Sequence, residues 1–317
     1  MMKTKFFKVS VFLFLLLYAV AGRTSAAAKE VKEIKLTYVQ APLNVPSIIE
    51  RKLGVLSSLY KKFDIAVQYA NLTAGPQQTA ALASGDLQIL NAVGLSSLII
   101  AASNNMDIRV ISMYSRSPKA FMIFSNDTSI NSPVSLKGKT VAGPKGTNLN
   151  ELLSAYLKKA GMSVKDVNFV NMNIPAAQAA LENGSVDAAL LAGPAAYNCM
   201  KSGKHVVTDG EGLIAALIVT ATSQKFYAEH RDLVETFLEG QKQVLEYMKQ
   251  HPVETLSMTA EATHLTTDAV EEMIKMYDFS SEVTEKDLAE FRNTEQFLLE
   301  SGMIQKEVDV NELILRR

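Results

Sequence analysis

Residues 80–94, AALASGDLQILNAVG, and residues 179–193, AALENGSVDAALLAG, carry the same pattern. Each has Ala-Ala-Leu, a glycine three residues later (Gly85, Gly184), an apolar run, and a glycine nine residues after the first (Gly94, Gly193). Pro76 and Pro175 stand ahead of the two copies at the same offset. Proline fits the first turn of a helix and glycine fits the residue beyond its end, so each copy reads as helix, turn, buried strand and stop. A unit that recurs with its punctuation intact predicts two lobes built on similar βαβ units.

Working outward, strand-like and helical periods alternate on both sides of the first copy. Strands are expected at 34–39, 63–69, 88–93 and 108–114, and helices at 46–53, 76–83 and 96–104. The pattern restarts with strands at 120–125, 140–143, 168–172, 187–191 and 205–208, separated by helices at 148–160, 175–182 and 195–201. From Lys225 onward the chain reads as helix, broken at Pro252, Thr266 and near Ser281. The expected fold is therefore α/β: two mainly parallel sheets flanked by helices, with a helical C-terminal third packed on lobe one. Lobe one takes residues 29–118 and 209–317, and lobe two takes 119–208. Crossings at 115–117 and 209–213 make a hinge.

Lys3, Lys5 and Lys8, an apolar run over 9–20, and Thr24-Ser25-Ala26-Ala27-Ala28 have the order of a cleavable secretory signal peptide over residues 1–28, cut after Ala26 or Ala28. No cysteine stands near that site to take a lipid anchor, so a free periplasmic protein is expected. Of 32 Lys and Arg against 33 Asp and Glu, four basic residues fall within 1–28, which leaves a net charge of −5 on the remainder. A mildly acidic surface speaks against nucleic acid as a partner. Cys199, the sole cysteine, excludes an internal disulfide and reads as a small buried thiol.

Catalytic and metal motifs do not form. His205, His230, His251 and His264 lack metal-ligand spacing. Gly94-Leu95-Ser96-Ser97-Leu98 lacks the second glycine of a nucleophile elbow, and Pro144 follows Gly143 where a phosphate loop needs lysine. No catalytic residue, metal or cofactor is expected.

Small polar loops at strand ends remain: Gln40 to Asn44, Gly75-Pro76-Gln77, Gly94-Leu95-Ser96-Ser97, Lys145-Gly146-Thr147-Asn148, and Gly193-Pro194 ahead of Tyr197. Each has two readings. The polar side chains cap helices, or they and the free N–H groups of the helix starts meet a ligand. Convergence of five such loops on one cleft favours a ligand, with Thr147 donating its hydroxyl. Arg116 and Lys119, beside the first crossing, are either solvated or partners of an anionic group.

Ser135-Leu136-Lys137-Gly138-Lys139-Thr140-Val141, followed by Lys145-Gly146-Thr147-Asn148, resembles the type II periplasmic binding proteins of the alkanesulfonate, taurine and nitrate (NMT1/THI5-like) group. Ala74-Gly75-Pro76-Gln77, Ser84-Gly85-Asp86-Leu87, Asn183 to Ala188, and Pro46 with Gly54 fit the same resemblance. It implies a two-lobed fold that closes on a small organic solute, anionic ones included, and a monomer that delivers it to an ABC permease and its ATPase. It places ligand contacts at Gln40, Gly75, Gly94, Ser96, Thr147 and Asn148. Sulfonate and taurine binders usually carry Trp-Asp-Pro where this chain has Ala192-Gly193-Pro194, and the chain contains no tryptophan. A ligand sensor that docks on a receptor would use the same capture chemistry. An enzyme on this fold would need a nucleophile–base pair or a cofactor lysine that the sequence does not present.

Overall fold

The computed structural model describes residues 31–39 and 43–315, so the expected signal peptide and Gln40 lie outside the described residues. β1 (Glu33–Thr37) pairs in parallel with β2 (Ala66–Ala70), and a parallel bridge from Leu36 to Ile89 joins the pair to β3 (Leu90–Gly94). β4 (Arg109–Arg116) ends this first run. β5 (Phe121–Ser125), β6 (Thr140–Gly143), β7 (Asn168–Asn171), β8 (Ala188–Ala192) and β9 (His205–Asp209) then form a second sheet in the order β7-β6-β8-β5-β9. β10 (Leu217–Thr222) returns to the first sheet and lies between β3 and β4, antiparallel to both.

With the Leu36 bridge included, the two sheets have one topology, β2-β1-β3-β10-β4 and β7-β6-β8-β5-β9. The strands of the sequence repeat, β3 and β8, hold the middle places. In each sheet four strands share a direction, and one strand, β10 or β5, opposes them. Parallel neighbours need a crossover helix. β5 and β10 are each entered from the other sheet across short segments without such a helix, so nothing forces them parallel. The pattern of residues 217–222 was not expected as a strand; LIVTAT is fully buried and reads equally as part of a helix.

The helices before β10 are α1 (Val45–Leu53), α2 (Val55–Tyr60), α3 (Gly75–Ser84), α4 (Leu95–Ser103), α5 (Asn148–Lys158), α6 (Ile174–Glu182) and α7 (Gly193–Lys201). Pro46 sits in the first turn of α1, and Gly54 closes it with φ of 65°. Gly85 and Gly184, with φ of 82° and 75°, stop the two helices of the repeat, a conformation glycine adopts without steric cost. After β10 come α8 (Gln224–Glu229), α9 (Arg231–Gln250), α10 (Pro252–Thr263), α11 (Thr267–Ile274), α12 (Glu285–Glu300) and α13 (Val310–Leu313). The breaks fall at Pro252, at Thr266 and in the stretch around Ser281.

Each sheet is covered on both faces. Leu149, Leu152 and Leu153 of α5 pack with Ile123 and Leu190, while Leu181 and Cys199 pack with Phe124 and Leu191 on the opposite face. In the first sheet Leu90 and Val93 pack with α4 and α12, and Ile34 and Leu36 pack with α2 and α9. Helices on both faces leave only the strand ends open, and the site lies there.

Candidate functional site

The loops that leave the carboxyl ends of β2, β3, β6, β7 and β8 line one cavity of about 1740 Å³. Thr73 to Gln78 follow β2, Gly94 ends β3, Pro144 to Asn150 follow β6, Asn171 to Pro175 end β7, and Ala192 and Pro194 lie at the end of β8. Asn44, Gly75, Gly94, Thr147, Asn148 and Pro194, all expected from sequence, are brought together here.

Most helix starts at the cavity lack a side-chain cap. α1, α3, α4, α5 and α7 begin at Asn44, Ala74, Gly94, Thr147 and Ala192 without a side-chain cap. Away from the cavity, α8, α11, α12 and α13 are capped by Ser223, Thr266, Thr284 and Asp309, while α2, α9 and α10 begin without a side-chain cap. α6 at the cavity rim is the exception, with Asn173 accepting from the Ala176 N–H. In α1 the Ser47 N–H already donates to the Tyr114 hydroxyl at 3.1 Å; elsewhere an uncapped first turn keeps N–H groups and partial positive charge for another acceptor.

Close packing fixes these starts against one another. A Cβ on Gly75 would sit 2.6 Å from Ser97 Cβ, and one on Gly94 would sit 3.0 Å from Asn148 Oδ1. Ser97 Oγ donates to the Gly146 carbonyl at 2.6 Å, and Asn44 Nδ2 donates to the Val39 carbonyl at 2.8 Å. Asn148 Nδ2 donates to the Leu217 carbonyl at 3.1 Å, and its Oδ1 accepts from Ser96 Oγ at 2.8 Å. Ala92, also at the cavity wall, has φ of 79° where the β10 register shifts past it, a bulge that strains a residue with a Cβ. Thr147 Oγ1 donates to the Pro144 carbonyl at 2.9 Å. That bond commits its one hydrogen, so toward a ligand the hydroxyl can only accept.

Other expected residues lie elsewhere. Leu95 and Ser96 are buried behind the wall, at 1 % exposure each. Gly193 and Tyr197 line a separate small hollow with Met122, Met200, Met273 and Met276. Arg116, expected as a partner of an anionic group, is turned to the protein itself. Its Nε and Nη2 hold Asp287 at 2.7 and 2.6 Å, Nη1 donates to Ser280, and Nη2 also reaches the Glu282 carbonyl. Lys119 pairs with Glu211 at 3.0 Å. Sequence reasoning stopped at the isolated charge and had no means to see acids some 160 residues away fold onto it.

Sequence reasoning named Ser97 and Lys145 only as members of their loops and missed Asn150 and Asn171; all four line the cavity. Asn150 stands beside a loop already singled out, whereas Asn171 ends β7, whose following loop carried no such signal. Lys145, Lys158 and Lys165 are the lining cations among the described residues, and Lys158 is paired with Glu300. Glu151, one turn into α5, is buried and accepts from or donates to Ser96. Burial pushes its carboxyl up to about 7. Among the described residues no cluster of His, Cys, Asp and Glu gathers to hold a metal ion.

Residues 57–255 match the family model described as NMT1/THI5 like. A Bacillus subtilis (strain 168) protein named "Putative aliphatic sulfonates-binding protein" is 28% identical over 306 residues, covering 95% of this chain and 91% of that protein. The taurine-binding periplasmic protein of Escherichia coli (strain K12) is 33% identical over 181 residues, 56% of each chain. The solved structure of the alkanesulfonate-binding protein SsuA from Xanthomonas axonopodis pv. citri, bound to MOPS, superimposes with a TM-score of 0.82 at 20% identity, covering 92% of this chain and all of the other. The architecture is thus that of the type II periplasmic binding fold.

Proposed function

The chain belongs to the NMT1/THI5-like family, and from that premise we propose that it is the substrate-binding component of an ABC importer for sulfonate-type solutes. Its two lobes, residues 29–118 with 209–317 and residues 119–208, close about the segments between β4 and β5 and between β9 and β10. The observation that carries this reading is the convergence of five uncapped helix starts on one cavity between the strand ends of both sheets. A sulfonate is a compact anion with three acceptor oxygens. The first turn of α5, with Lys145 beside it, offers main-chain donors and positive charge for such a head group. The Asn and Ser groups around it suit hydrogen bonding, and Ile100, Phe121, Phe169 and Ile218 suit an apolar body.

Family membership and the relatives' names support the importer role. The N-terminal signal supports export to the periplasm, where a permease and its ATPase receive the loaded protein. The cavity exceeds the roughly 300–1,000 Å³ of common small-ligand sites, so the size of the solute is itself an experimental variable.

The test is a thermal-shift screen with taurine, MOPS and a series of linear alkanesulfonates, each beside its carboxylate and uncharged analogue, followed by calorimetry of any hit. A sulfonate that raises the melting temperature and saturates one site per chain supports the reading. Stabilisation by uncharged analogues alone, or by none of the series, overturns the sulfonate assignment.

A further inference from the structure

α4 and α5 start side by side at the cavity, and three polar groups join them below its floor. Asn148 and Glu151 lie one turn apart on α5, and Ser96 lies on α4 between them. All three are buried, at 2 %, 6 % and 1 % exposure.

Counting hydrogens fixes the protonation of this trio. Asn148 Nδ2 donates to the Leu217 carbonyl at 3.1 Å, which sets the amide so that Oδ1 faces Ser96 Oγ at 2.8 Å. Turning the amide over would set two oxygens against each other at Leu217. Ser96 must therefore give its one hydroxyl hydrogen to Asn148. Ser96 Oγ is also in hydrogen-bond contact with Glu151 Oε2, and no hydrogen is left on the serine for that bond. The missing hydrogen has to come from the carboxyl. An ionised Glu151 would set its oxygen against a lone pair, in a buried place where an unmade bond is costly.

The surroundings agree. α4 carries no titratable side chain, nor do β5, β8 or β10. From α12, Thr294 hydrogen-bonds the Glu151 carboxyl and Glu290 repels a negative charge there. Lys158, at the far end of α5, is engaged by Glu300, and on the short turn packed on α5 Lys165 is exposed while the half-buried Asp166 is bonded to Ser163. Burial accordingly raises the carboxyl's proton affinity, to a midpoint of about 7.

We propose that Glu151 is a protonated latch that fastens the start of α5 to the start of α4, and that ligand capture weakens as this proton is lost. The ligand half of the statement rests on the sulfonate-binding reading; the latch itself does not. Glu151 binds its proton more tightly when seated than when exposed, so the latch is complete below the ordinary glutamate value of 4.5. It weakens as the pH rises and is fully lost above about 7. Between those limits seating is disfavoured by up to about tenfold per pH unit. An anion bound at the α5 start reinforces the neutral carboxyl one turn behind it, so binding takes up protons in that range.

The experiment begins with full-length protein, free of ligand and labelled with 13C at glutamate carboxyls. Wild type should give one carboxyl resonance with a midpoint near pH 7, absent from Glu151→Gln. Titration of every glutamate below pH 5.5 would overturn the latch, and this readout needs no folded variant. Glu151→Gln reproduces the protonated acid by donating from Nε2 to Ser96. Its melting temperature should match wild type near pH 4.5 and exceed it at pH 8; parallel pH profiles count against the proposal. Calorimetry with MOPS as probe should show wild-type affinity falling between pH 5 and 7 while the variant stays flat, and equal pH dependence in both overturns the coupling. Wild type that binds neither MOPS nor taurine at any pH overturns the sulfonate reading, and the carboxyl titration then judges the latch alone.

Discussion

Gly94 at the end of β3 faces Asn148 at the start of α5 so closely that a Cβ there would stand 3.0 Å from the Asn148 Oδ1. The two residues belong to different sheets' loops, and their contact fixes the wall of the cavity. Gly94 has an ordinary extended backbone, φ −65°, so the need for glycine is one of space and not of backbone conformation. Gly94→Val would push Asn148 off Ser96 and Leu217 and fill the cavity wall. We expect a folded protein, destabilised by about 1–3 kcal/mol from overpacking, whose affinity for a sulfonate probe falls by more than tenfold. Calorimetry at a temperature where the variant is fully folded checks this, and unaltered affinity would place the ligand away from β3.

Gly75→Ala tests the neighbouring contact. The new methyl group would stand 2.6 Å from Ser97 Cβ, so α3 or α4 must shift. The expected cost is about 1–3 kcal/mol of stability. Adding Ser97→Gly should restore part of it despite the low helix propensity of glycine, because the pair is coupled through one contact. Chemical denaturation of the four proteins measures that coupling directly.

Thr147→Ala separates the hydroxyl from the main chain. The side chain gives its hydrogen to the Pro144 carbonyl and does not cap α5. Loss of that bond should cost about 1 kcal/mol of stability. Affinity for an anionic probe should change by less than about threefold, since the donors assigned to it are main-chain N–H groups. A larger loss measured by calorimetry would move the hydroxyl onto the ligand.

Arg116→Met should act on stability alone. The variant leaves Asp287, whose side chain is 3 % exposed, without its two guanidinium bonds. Breaking a buried pair from one side costs roughly 3 kcal/mol. Burial pushes the Asp287 carboxyl up, but the hydrogen bonds from Arg116 and Thr284 outweigh it and hold the group below its ordinary 3.8. A carboxylate with a depressed value stabilises the fold above its unfolded value, and that stability disappears as pH falls through the folded one. The gap between wild type and Asp287→Asn should therefore be full at neutral pH and close below pH 3.8, as followed by melting across that range.

Much of the fold was legible in the sequence because it rests on local chemistry. Proline at a helix start, glycine at its end and an apolar strand between them depend on a few neighbouring residues, so 80–94 and 179–193 announced their units wherever they packed. The glycines at 75, 94 and 146 and the polar residues after them marked the strand ends for the same reason. Tertiary structure alone decided what those residues do. It carried β5 and β10 into their sheets against the direction of their neighbours, since orientation follows from the path between sheets and not from strand composition. It turned Arg116 onto Asp287 and away from the cavity, brought five helix starts to one cavity, and buried Glu151 against a serine from another helix. Each of these depends on partners distant in the chain, and a carboxyl keeps or loses its proton according to what surrounds it, which no local stretch of sequence contains.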